Sequence, residues 1–148
     1  MSTYTQIIYQ VVFSTKNRER TLSANSRPEL FKYISGILSN KKCHLYRIGG
    51  VEDHIHIVLH VNPSIVLSNL IKDIKLATTE YIKKEKIFLN FGGWQNGYGA
   101  FTYSTKEKDR LIEYVKNQEV HHRSVSFKEE YLDLLNEHQI EYDEAYIL

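Results

Sequence analysis

Between Cys43 and Val61 the sequence runs CHLYRI, then GGVED, then HIHIVLHV. Two alternating, strand-like runs stand five residues apart. A parallel pair would need a crossover of a dozen or more residues, so these two can pair only as an antiparallel hairpin, with GGVED as its turn. Any fold for this chain must contain that hairpin.

The rest of the chain is arranged around it. Residues 4–15, YTQIIYQVVFST, are β-branched and aromatic and predict a first strand, followed by a polar, basic loop. SRPE at 26–29 has the form of a capping box with Pro28 in the first turn, so a helix is expected from there to Asn40, with Leu30, Ile34, Ile37 and Leu38 on its apolar face. A second helix is expected over 64–84, with Leu67, Leu70, Ile71, Ile74 and Tyr81 toward its buried side. NFGGWQNGYGAFTYS begins as a Gly-rich loop and ends as a strand. STKE at 104–107 opens a helix to Glu119, with Leu111, Ile112 and Val115 facing inward, and SFKE at 126–129 opens another to His138. The order β-α-β-β-α-β plus two helices is that of an α+β, ferredoxin-like split βαβ fold: an antiparallel sheet with helices on one face, plus C-terminal helices. With no repeat, linker or low-complexity stretch, residues 1–148 are expected to form one domain. The fold hosts many activities and decides none of them.

Composition narrows the field modestly. The formal net charge of +1 lacks the basic bias of many DNA-binding domains, so nucleic-acid contact must come from local patches. A lone cysteine, Cys43, precludes an intrachain disulfide and fits a reducing cytoplasm. The first residues have no signal-peptide pattern, and no apolar run is long enough to span a membrane.

The chemistry sits on the returning strand. His54 and His56 are two apart and project from the same face, while Ile55 points away. Paired imidazoles suit a divalent metal, but such a pair also occurs as ordinary surface or hydrogen-bonded histidines. His60 shares the face further along. A third ligand is needed, and Glu52, Asp53 and His60 compete for it with Gln118. Tyr114 and Gln118 lie four apart on the expected helix, hence on one side of it. Taken alone, they read as a widened apolar stripe and a solvated amide.

Together, HIH on a strand, YVKNQ on a later helix, and the segments GGVEDHIHIVLHV, WQNGYGAFTYS and IEYVKNQEVHH resemble the small single-tyrosine HUH transposases of bacterial insertion sequences. The resemblance covers nearly the whole chain. It implies a DNA transposase that cuts and rejoins single-stranded DNA at hairpin-bearing element ends, without ATP or another nucleotide cofactor. It implies that His54, His56 and Gln118 hold Mg²⁺ or Mn²⁺, that Tyr114 is the nucleophile, and that the protein works as a homodimer. The chemistry is coherent in itself. A metal neutralises charge on the attacked phosphate, a phenol of ordinary pKa about 10 needs activation, and a 5′-phosphotyrosine stores the bond energy for rejoining.

Lys16, Arg18 and Arg20 in the first loop and Lys72 and Lys75 on the second helix are the basic groups offered to DNA, although any one lysine reads equally as a solvated face. Trp94 and Tyr98 are read as core or dimer-interface aromatics rather than base-stacking platforms. Two other classes fit parts of the sequence. A metal-dependent hydrolase using the HxH pair would need a third His, Asp or Glu nearby. A nucleic-acid-binding module would need aromatics that HIHIVLHV lacks. A host protein descended from a transposase would share all these features.

Overall fold

The first strand is the centre of the sheet. In the computed structural model, which describes residues 2–147, β1 (Ile8–Ser14) pairs antiparallel with both β3 (His54–His60) and β4 (Gly99–Tyr103), and β2 (His44–Gly50) pairs with β3 on the outside. The strand order is β2-β3-β1-β4, the ferredoxin-like order. Met1 and Leu148, part of the expected single domain, lie outside the described residues.

Alternation along β1 and β3 divides the side chains between two faces. Val11, Phe13, Ile55 and Ile57 join Leu30, Ile34 and Leu38 of α1 (Arg27–Asn40) and Leu70, Ile71 and Ile74 of α2 (Leu67–Glu85) in the main core. Ile8, Val12, Val58 and Phe101 face the other way. There they are covered by Leu111 and Val115 of α3 (Lys108–Lys116) and by Phe127, Tyr131, Leu134 and Leu135 of α5 (Phe127–Glu137). The sheet is therefore covered on both sides, the second by the C-terminal helices. Trp94 is buried in the main core, where its indole N–H donates to Thr78 (2.8 Å), and Tyr98 packs against the same core.

Four local expectations are corrected. Gly49 and Gly50 belong to β2, and the turn is residues 51–53. A Cβ on Gly49 would meet the Val115 carbonyl oxygen of α3 at 2.0 Å, so this glycine serves close helix packing rather than a turn. Ser26 makes no side-chain cap, because its backbone is already helical (φ −105°, ψ −6°) rather than extended, and Glu29 accepts from the Tyr81 hydroxyl (2.8 Å). The second helix starts at Leu67, after a turn at residues 63–65. The helix expected to run to Glu119 is interrupted at Asn117, leaving α3 and the one-turn α4 (Gln118–His121). The other two caps form as read. Glu107 accepts from the Ser104 backbone N–H (3.0 Å), and Ser126 accepts from the Glu129 N–H (3.2 Å).

Among the described residues, no helix is long and apolar enough to cross a membrane.

Candidate metal and nucleophile site

The two histidines of the HxH strand point to the face covered by the C-terminal helices, and both are fully buried. The 54 ring stacks on Phe127 (centroids 4.3 Å apart), and the 56 ring lies 5.1 Å from it. Residue 118, expected to be either a ligand or a solvated amide, is buried, with its amide oxygen 3.2 Å from His54 Nε2. Tyr114, one turn earlier, is edge-on to His56 at 5.9 Å. The four residues singled out in the sequence thus come together within one chain.

At their centre is a residue the sequence did not single out. Glu130, in the first turn of α5, sends its carboxylate between the imidazoles. Its Oε1 is 3.1 Å from His54 Nε2, 2.9 Å from His56 Nε2 and 3.0 Å from His122 Nε2. Its Oε2 accepts from the Gln118 amide (2.9 Å) and, in a short hydrogen bond, from the Tyr114 hydroxyl. One potential ligand atom from each of His54, His56, His122 and Glu130 lies within 4.8 Å of all the others. A carboxylate at the head of a helix reads in sequence as a favourable charge on the helix dipole. Only the spatial meeting of α5 with β3 gives it a second meaning.

The electrostatics follow from burial and pairing. Burial alone would raise the Glu130 carboxyl, but the charge of His56 and the hydrogen bonds of His122, His54 and His56 outweigh it and hold the group well below the usual carboxylate range. Burial opposes the charged form of His54, yet hydrogen bonds to Asp53 and Glu130 prevail and raise it. For His56 burial wins, and its pKa falls. Burial, together with the adjacent Glu130 charge, raises the Tyr114 phenol far above its ordinary value.

Of the competing third ligands, Asp53 sits behind His54, its Oδ1 2.8 Å from Nδ1, on the side away from the cluster. Glu52 approaches Arg27 instead (4.0 Å). His60 bonds to the Ile7 backbone at the far end of the strand.

Two cavities flank the cluster. One, of about 320 Å³, opens beside Tyr114 and includes Arg110, His121, Glu130, Asp133 and Glu137. The other, of about 440 Å³, is bordered by Arg18, Arg20, Asp53, His122 and Lys128. Arg18 and Arg20, with exposed Lys16 beside them, therefore border the site. Lys72 and Lys75 are on α2, across the sheet. Lys75 Nζ donates to the carbonyls of Gln95 (2.9 Å) and Gly97 (2.5 Å), and burial pushes its pKa down to about 8.

Residues 3–118 match the family model "Transposase IS200 like". The chain belongs to the IS200-like transposase family. Transposition of DNA is accordingly its class of activity, and the His/Glu cluster, in a transposase of this family, points to a divalent metal. Two solved structures share the transposase fold. A protein of Deinococcus radiodurans R1 assigned as a transposase is 21% identical with a TM-score of 0.61, covering 80% of this chain and 95% of its own. A REP-associated tyrosine transposase bound to a REP hairpin is 17% identical with a TM-score of 0.61, covering 84% of this chain and 76% of its own. No curated protein matches the chain.

Proposed function

We propose that this transposase cuts and rejoins single-stranded DNA at hairpin-bearing ends, with Tyr114 as nucleophile and His54, His56 and Gln118 as ligands of a divalent cation. The observation that carries the reading is the meeting of the Tyr114 hydroxyl and the two strand imidazoles at one carboxylate, Glu130.

When bound, the cation would neutralise charge on the attacked phosphate. The chain's own residues do the rest. The hydrogen bond to Glu130 fixes the phenolic oxygen of Tyr114 at the edge of the cluster. That oxygen attacks phosphorus, the bond to the 3′ oxygen breaks, and a 5′-phosphotyrosine remains. The phenol gives up its proton to solvent as it attacks, Glu130 being too weak a base to keep it, and the departing oxygen takes up a proton to become a 3′-hydroxyl. Reversal by another 3′-hydroxyl rejoins the strand, so no nucleotide cofactor is required. Arg18 and Arg20 border the cavity beside the cluster and, with exposed Lys16 just before them in the chain, suit the strand being cut. Exposed Lys72, on the opposite side of the sheet, suits a more distant part of the DNA, such as a hairpin stem. The protein is read as a homodimer. Light scattering at the monomer mass across micromolar concentrations, with activity intact, would count against that.

The test is a hairpin oligonucleotide labelled at its 3′ end, incubated with protein and Mn²⁺ and run on a denaturing gel. A labelled protein adduct is expected from single-stranded DNA only, and Tyr114→Phe should abolish it while DNA binding persists. A hydrolase reading has one specific observation in its favour, since Glu130 and His122 supply the additional acidic and imidazole groups it requires. Cation-dependent cutting by Tyr114→Phe with no adduct would establish water as nucleophile.

A further inference from the structure

The outward nitrogens of the three clustered histidines are all held in one role. His54 Nδ1 faces the Asp53 carboxylate (2.8 Å) and His122 Nδ1 faces the Val125 carbonyl (2.6 Å), groups that only accept. His56 Nδ1 faces the amide oxygen of Gln10 (2.6 Å), whose amide nitrogen donates to the Tyr103 hydroxyl (2.8 Å). Each Nδ1 therefore carries its hydrogen, and each ring, when neutral, presents a lone pair at Nε2. All three lone pairs converge on the Glu130 oxygen, with the Gln118 amide oxygen beside His54. Five electron-rich atoms facing one another in a buried space call for positive charge among them. Protons at Nε2 would let the rings donate to Glu130, but three of them would put three imidazolium rings together, with centroids as close as 4.5 Å, whereas one dication would be met by all four residues of the His/Glu cluster. An acceptor behind each imidazole is the arrangement that orients metal-ligating histidines.

We propose that His122 and Glu130 are metal ligands alongside His54 and His56, and that the site prefers a first-row transition dication such as Mn²⁺, Co²⁺ or Zn²⁺ to Mg²⁺. This rests on the metal-dependent reading above and extends it to two residues beyond the stretch 3–118 that the family model matches. Three imidazoles suit the transition metals, while Mg²⁺ favours oxygen donors and retained water. The carboxylate also ties the ion to the nucleophile. Oε1 faces the imidazoles, and Oε2 holds the Tyr114 hydroxyl.

The test uses the full chain, stripped with EDTA. Zn²⁺ is titrated into ¹⁵N-histidine-labelled wild type, and two-bond ¹H–¹⁵N spectra are recorded. The Nε2 signals of His54, His56 and His122 should shift together, with their Nδ1 atoms still protonated. Calorimetry should show Mn²⁺ binding weakened at least tenfold by His122→Ala and by Glu130→Gln, and Mg²⁺ binding wild type at least a hundredfold more weakly than Mn²⁺. If His54 and His56 shift but His122 does not, and both variants bind Mn²⁺ within twofold of wild type, the added ligands are refuted while the metal-dependent reading stands. If no histidine shifts and wild type binds no Mn²⁺, both readings fall. Mg²⁺ binding within tenfold of Mn²⁺ would overturn the selectivity.

Discussion

Glu130 shows how one side chain can be ordinary in sequence and central in space. Its role depends on partners far along the chain, with His56 74 residues away, and no local spacing announces such a meeting. His122 was hidden for the same reason, as one of two adjacent histidines after a helix. His54, His56, Tyr114 and Gln118 could be singled out because strand alternation and helical spacing are local rules. Asp53 was visible as a competing ligand, but its place behind His54 was not. Its expected role gives a prediction at this scale. Asp53→Ala should leave the fold intact, since the residue is only partly buried, yet weaken Mn²⁺ binding about 10- to 100-fold by freeing the ring and its tautomer. Calorimetry on the folded variant checks it, and an unchanged Kd would remove Asp53 from the site's support.

At the level of elements, strand and helix order was legible because alternation, apolar stripes and two of the three caps spoke in agreement. The misreadings arose where tertiary contact overrode local grammar. Gly49 looked like turn chemistry, but α3 comes so near β2 that no side chain fits between them. Gly49→Ala should therefore push α3 outward and destabilise the protein by about 3 kcal/mol or more, toward the severe end of overpacking. Denaturant unfolding measures the loss, and the displaced Tyr114 should lower adduct yield as well. The Ser126 cap holds the start of α5, one turn before Glu130. Ser126→Ala should cost about 1 kcal/mol, seen as a lower urea midpoint with an unchanged slope.

For the molecule as a whole, a ligand that binds only the folded state must raise its stability. Mn²⁺ at a hundred times its Kd adds about 2.7 kcal/mol. For a chain of this size that is a rise in Tm of roughly 5–10 °C, which EDTA should reverse. A scan in which Mn²⁺ leaves Tm unmoved would mean that the cluster is held by hydrogen bonds alone. Tyr114, His54 and His56 meet at Glu130 within one chain, so on the proposed mechanism mixing His56→Ala with Tyr114→Phe should restore no adduct. Recovery would show that the tyrosine acts across a dimer. The sheet's wiring has a further consequence, in time rather than in space. β1 is made first but lies between β3 and β4, so Ile8 must wait for His60 on one side and Tyr103 on the other. At ribosomal speeds of about 5–20 residues per second, the His56 imidazole is synthesised roughly 4–15 s before the carboxylate that meets it. A nascent chain therefore cannot bring the Tyr114 hydroxyl and the two strand imidazoles to the Glu130 carboxylate until α5 has emerged.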